Sequence, residues 1–226
     1  SERAELDSVL DAGVVATLST VVDGQPWVVP MLHVRDGDRI LLHGSTGSGA
    51  LRNVAAGAPA AVCVVHMDGL VVAHSTFDSS ANYRSAVVYG ALTPITDPQE
   101  KARALDLVSE GLIPGRSAEV RPMTTKEIAA TSVMQMAITD GEWLVKVRAA
   151  GAGDPGEETD AWTGVVPLRV AAGEPQAEAR ADGIPVPASV RAAGSNSIAT
   201  YPSTLGRNST PMVAANSQVT RSASAW

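Results

Sequence analysis

The residues of this 226-residue chain that could do chemistry gather in one stretch, His43-Gly44-Ser45-Thr46-Gly47-Ser48-Gly49-Ala50-Leu51-Arg52. An apolar run, residues 39–42, empties into this Gly/Ser loop, and the loop leads into a helix-like segment, residues 50–56. Unpaired backbone N–H groups at a helix N-terminus, with hydroxyls beside them, stabilise an anion. The stretch is therefore a candidate phosphate cradle, with Arg52 as its nearest cation, a turn into the helix. The same composition also serves as plain turn chemistry. It has neither the Gly-Lys-Ser/Thr ending of a Walker A loop nor the G-x-G-x-x-G order of a dinucleotide turn.

The other chemistry-bearing groups are scattered. His33, His43, His66 and His74 are the four histidines, and none has metal-ligand spacing such as His-Glu-x-x-His. His43 and His74 each end an apolar run and are the two placed to meet a ligand, including as a single axial haem ligand. Ser45 and Ser48 sit in no nucleophile elbow, which argues against a hydrolase triad. Arg84, Lys146 and Arg148 fall on expected strands, either as solvated faces or as holders of an anionic group. The lone cysteine, Cys63, excludes an internal disulfide and packs as a small hydrophobe within Ala61-Val62-Cys63-Val64-Val65.

What positions these groups is a set of β-branched runs separated by Asp-Gly, at Asp23-Gly24, Asp36-Gly37, Asp68-Gly69 and Asp140-Gly141. Asp-Gly supplies the positive φ of tight hairpins, so each pair predicts a hairpin. The expected strands are 14–22, 25–34, 39–42, 60–67, 70–74, 83–95, 132–139 and 142–148. Such an antiparallel meander closes into a small barrel, which removes its edges. Helices are expected at 4–12, with Leu6, Val9 and Leu10 on one face, and at 97–110, with Asp97 as N-cap, Pro98 at the first position and Glu100 at the capping-box position. Thr124 or Thr125 caps a third, short one.

A net charge of -7 argues against a nucleic-acid or anionic-membrane surface. No apolar run reaches the length of a membrane span and no signal-peptide pattern opens the chain, so a cytoplasmic location is expected. The domain is expected over residues 1–174. Residues 175–226, rich in Ala, Ser and Pro, cannot bury enough surface to fold alone and form an extension, packed on the barrel or a partner subunit or partly irregular.

Several longer strings share an order that resembles the pyridoxamine 5'-phosphate oxidase-like split barrels, in their flavin-nucleotide-binding branch. They are Asp23-Gly24-Gln25-Pro26-Trp27-Val28-Val29-Pro30, the His43 loop, Asp68-Gly69-Leu70-Val71-Val72-Ala73-His74-Ser75, Asn82-Tyr83-Arg84-Ser85, Pro114-Gly115-Arg116, Lys146-Val147-Arg148 and Trp162-Thr163-Gly164-Val165-Val166-Pro167-Leu168. The resemblance runs over residues 4–175. It implies a mainly β, six-stranded antiparallel split barrel with peripheral helices, paired as a homodimer with FMN in a groove between subunits and a small-molecule substrate. It implies an FMN-dependent oxidoreductase, with a haem-binding barrel or a member with lost or altered cofactor as alternatives. Carried onto this chain, Pro30, Met31 and Leu32 flank the ring, while His43, Gly44, Ser45 and Ser48 surround the phosphate with Arg52 nearby. Tyr83, Arg84, Lys146 and Trp162 complete the implied site, and no catalytic residue is named. Two departures stand out. Gly49-Ala50 replaces a basic residue usual in the family, and Asp78-Ser79 stands where histidines are frequent. Losing one charge-assisted contact to phosphate costs about 1.5–3 kcal/mol, roughly ten- to hundredfold in affinity.

Overall fold

The computed structural model describes residues 2–46, 51, 54–156 and 158–195. Helix α1 (Glu2–Asp11) precedes strands β1 (Val15–Val22), β2 (Gln25–Asp36) and β3 (Arg39–Ser45). Then follow β4 (Pro59–Val72), β5 (Ser80–Ala91) and the two-residue β6 (Thr93–Pro94). Helix α2 (Pro98–Leu112), helix α3 (Thr125–Ala130) and strands β7 (Thr131–Ala137), β8 (Trp143–Arg148) and β9 (Gly164–Pro167) complete the domain, and α4 (Ala188–Ser195) lies beyond it.

The strands form a six-membered cycle. β1 pairs with β2 and β4, β2 with β3, β3 with β7, and β4 with β5, all antiparallel. The ring closes because the chain leaving β5 continues past Leu92 into β6, which pairs with β7. β2 is the strand that joins the two halves by pairing with both β1 and β3. β2 pairs with β1 over residues 25–32 and with β3 only over 33–36, so it leaves β3 halfway and opens a split between them. β8 and β9 extend the sheet on β5 and β4. The fold is the expected split barrel.

Alternation along the strands fills the interior with Leu18, Ile40, Leu42, Val62, Val64, Val88, Met134 and Met136. α1 closes one mouth with Leu6, Val9 and Leu10, the predicted face. Its last carbonyls are held from the barrel wall: His33 Nε2 lies 3.0 Å from the Leu10 oxygen and His66 Nε2 3.0 Å from that of Val9. A second core, with Leu41, Ile95, Leu105, Val108 and Val133, lies under α2 on the other side of β3 and β7.

The turn expectations divide. Asp23 and Gly24 adopt positive φ and make the β1–β2 hairpin. The β2–β3 loop falls one residue later than expected, at Gly37-Asp38, because Asp36 pairs with Arg39. Asp68-Gly69 is corrected: β4 runs straight through it as one strand with a register shift between Met67 and Gly69, a β-bulge. Asp140-Gly141 does turn the chain, with Gly141 at φ +84, but β7 pairs with β3 and β6 while β8 pairs with β5, so no hairpin forms there. Asp97 caps α2 by accepting from the N–H groups of Gln99 and Glu100, whereas the Glu100 carboxylate turns to Arg39 and Arg103 instead of completing a capping box. Thr124 caps α3 with Glu127 in a full capping box. In the C-terminal extension, Ser189 near the start of α4 is buried and donates from both its N–H and its hydroxyl to Glu119.

Candidate functional site at the barrel split

Where β2 parts from β3, the sequence leaves a gap with two sides. On the inner side, Met31 faces the core and its Cε lies 3.9 Å from where a Cβ on Gly44 would stand. Leu51 packs over the same glycine so closely that such a Cβ would be 2.6 Å from Leu51 Cδ1. Gly44 is required by this close approach of the helical segment carrying Leu51 and Val54. On the outer side, strand alternation places Pro30 and Leu32 on β2 together with His43 and Ser45 on β3. The six residues named for the ring and the β3 end, Pro30, Met31, Leu32, His43, Gly44 and Ser45, thus lie at the split, and Thr46 anchors the loop start by its N–H and hydroxyl to the Ala130 oxygen. Ser48 and Arg52, and the Gly49-Ala50 departure, lie outside the described residues.

His43 is the unusual member. Its Nδ1 is buried with no hydrogen-bond partner, and burial pushes its imidazole below the usual histidine range, so it is neutral near pH 7. A buried ring nitrogen without a partner is costly, and a polar ligand at the split would supply one. A shallow cavity of about 310 Å³ adjoins from the β6–β7 side, where Leu51, Lys101 and Ser132 line it. Of the four histidines, His33 and His66 are committed to α1 carbonyls; the ring of His74 instead lies 3.5 Å from Asp78.

The remaining expected residues are not gathered there. Tyr83 and Lys146 lie on the outer face of β5 and β8, with Lys146 exposed. β8 is four strand spacings from β2, roughly 19 Å across a flat sheet. Arg84 points the other way: it is 7% exposed and makes a two-bond pair with Asp68, at 2.9 and 2.8 Å, on the inner side of the bulge. Trp162 precedes β9, and its ring lies over Gly164, where a Cβ would meet it at 2.8 Å.

The feature sequence reasoning missed is the outer face itself. The strand order β2-β1-β4-β5-β8 presents Val28, Val15, Val65, Met67 and Leu144 to solvent, with Val28 at 59% and Val65 at 60%. The registers put these residues on one side, opposite the packed interior. A contiguous apolar sheet face of this kind marks an interaction surface. Its signal was present in the strict alternation of β4, where both alternating sets are apolar.

The geometry has counterparts. A family model described as pyridoxamine 5'-phosphate oxidase matches residues 2–142. Among solved structures, the chain is similar to the FAD and heme binding protein from Mycobacterium smegmatis, with 44% identity and a TM-score of 0.81, covering 84% of this chain and 94% of that one. It is similar also to the flavocytochrome Anf3 from Azotobacter vinelandii, with 31% identity and a TM-score of 0.76, covering 84% of this chain and 89% of that one. No curated protein matches the chain. The closed six-strand cycle, the split at β2–β3 and these matches show that the chain belongs to the pyridoxamine 5'-phosphate oxidase-like split-barrel family.

Proposed function

We propose that this protein is a flavin-binding homodimer with oxidoreductase activity towards a small molecule, and that the flavin lies at the β2–β3 split. The observation that carries this reading is the 44% identity, over 84% of this chain and 94% of the other, to a protein named for binding FAD and heme. The split supports it independently, since the neutral, unpartnered His43 Nδ1 and the Gly44–Leu51 contact belong to the strand end named for the phosphate. The flavin, when bound, supplies hydride and electron transfer. The chain's own part is to flank the ring with Pro30, Met31 and Leu32, to offer His43 and Ser45 to the phosphate, and to exclude water by pairing the apolar outer faces of two copies. The test is direct. Protein purified from an expression host should be yellow, and chromatography of the flavin released on denaturation decides between FMN, implied by the family resemblance, and FAD, for which the relative is named. Protein that is colourless and takes up neither FMN nor FAD refutes the reading.

A second reading adds haem, on the strength of the two relatives named for it. The residues fit in one respect: His43 and His74 are the histidines whose ring nitrogens are not bonded to α1 carbonyls, so either is available as an axial ligand. A Soret band abolished by His43→Ala or His74→Ala supports it, and a band insensitive to both removes these residues as ligands. The cytoplasmic location belongs with this proposal; among the described residues, no helix is long and apolar enough to cross a membrane.

A further inference from the structure

The cavity of about 310 Å³ beside β7 has a structural origin of its own. β6 is only two residues long and pairs with Met134 and Gln135, so the start of β7 lacks a neighbour on that edge. β3, with His43, lies along the other edge of β7. The uncovered edge opens where the two cores meet: Leu51 and Met134 bring the barrel interior to the cavity wall, and Ile95 brings the second core. Most of the lining is therefore apolar, as in small-molecule pockets generally.

Three polar side chains complete that lining. They are Thr96, just before the Asp97 cap, Lys101 in α2, and Ser132 on β7. Among the described lining residues Lys101 is the only charged one, and it is half-buried. The acidic groups nearest to it in sequence are committed elsewhere. Asp97 accepts from the N–H groups of Gln99 and Glu100, and the Glu100 carboxylate pairs with Arg39 and Arg103. Among the described residues, the Lys101 ammonium and the Thr96 and Ser132 hydroxyls have no hydrogen-bond or ionic partner. One cation and two hydroxyls, all free to donate, thus converge on one apolar cavity.

We propose that this cavity binds a small carboxylic acid with a compact apolar body. The carboxylate meets Lys101, Thr96 and Ser132, and the body lies against Leu51, Ile95 and Met134. One cation and two hydroxyls match a single negative charge with few acceptor sites. A phosphate dianion gains most from forked arginine contacts, and apolar walls would leave its remaining oxygens unsatisfied. The site lies across β7 from the split and does not depend on the flavin reading.

Titration calorimetry of the full-length protein with benzoate, and with benzamide as its neutral counterpart, tests the assignment. Benzoate should bind about tenfold more tightly than benzamide. Lys101→Met keeps the apolar stem and the helix propensity, so it should weaken benzoate about tenfold and leave benzamide within about twofold. Filling the cavity from its two walls, by Ala55→Leu and by Thr96→Trp at an exposed position, should abolish binding of both. Wild-type protein that takes up no benzoate at about 10 mM overturns the proposal. So does benzoate affinity that survives in both filled variants, which places the ligand elsewhere. Equal affinity for benzoate and benzamide, or a Lys101→Met variant that loses neither, removes the carboxylate as the recognised group. Displacement of benzoate by added FMN would put it at the split and overturn the separate site. Thermal unfolding of each variant identifies those that are folded, and only folded variants enter the comparison.

Discussion

At the residue scale, the histidines make the sharpest prediction. Burial lowers the pKa of His33 and of His43, and the Nδ1 of each has no partner. A histidine whose folded pKa lies below its ordinary value of about 6.5 binds protons more readily when unfolded. Its stabilising contribution is therefore fully present above that ordinary value and is lost as pH falls through it towards the folded pKa. The midpoint of thermal unfolding should drop between pH 7 and 5, a window above the titration of Asp36, Glu100 and Glu127, whose pairing with arginines holds them below the usual carboxylate range. His33→Gln should flatten that slope, and a slope left unchanged would assign it to other groups. The loop offers a complementary test by gain. Gly49→Arg puts back the basic residue usual in the family and, under the proposed flavin site, should tighten FMN binding about tenfold, with riboflavin binding unchanged. Titration of both ligands reads the outcome, and an equal gain for riboflavin would show that the arginine does not meet the phosphate.

At the element scale, much of the fold was legible because it follows from local rules. The Asp97 and Thr124 caps, the buried face of α1 and the Asp23-Gly24 hairpin each depend on a few neighbouring residues, and each formed as read. Asp68-Gly69 failed because its pairing is decided by distant strands. Gly69 does not take the positive φ of a hairpin turn; it makes room for β9, where a Cβ would stand 3.1 Å from the Val166 oxygen, and Asp68 is claimed by Arg84 across the sheet. Strand partnership for β7 and β8 was hidden for the same reason, since a turn sequence does not say what each arm pairs with. The grouping of Pro30, Met31, Leu32, His43 and Gly44 at the split follows the strand order and the family resemblance, while their contact with flavin stands as proposed. The outer face was not, because exposure follows from closure of the barrel. The bulge makes its own prediction. Asp68→Ala leaves the Arg84 guanidinium buried without its carboxylate and should cost about 3 kcal/mol, the scale for breaking a buried pair. Asp68→Leu with Arg84→Met should recover most of that loss in denaturant unfolding. A single variant as stable as wild type would mean that the pair does not hold the bulge.

At the scale of the whole molecule, the two faces of the β2-β1-β4-β5-β8 sheet divide the work. The inner face, with α1 closing the mouth, is packed and supplies stability; the outer face leaves Val15, Val28, Val65, Met67 and Leu144 uncovered within one chain. Val65 lies on the central strand of that face, so in the dimer proposed above, paired through these faces, it lies near the centre of the interface. Val65→Glu would bury two like charges against each other without partners, a cost that exceeds what rim contacts return. Sedimentation should then show a monomer, while the thermal midpoint of the separated chain stays within a few degrees of the parent, because an exposed strand position contributes little to the barrel. Flavin binding should fall with the dimer if the site is shared between chains. A monomer that keeps full FMN affinity would confine the site to one barrel, whereas a variant that still dimerises would place the interface on another face.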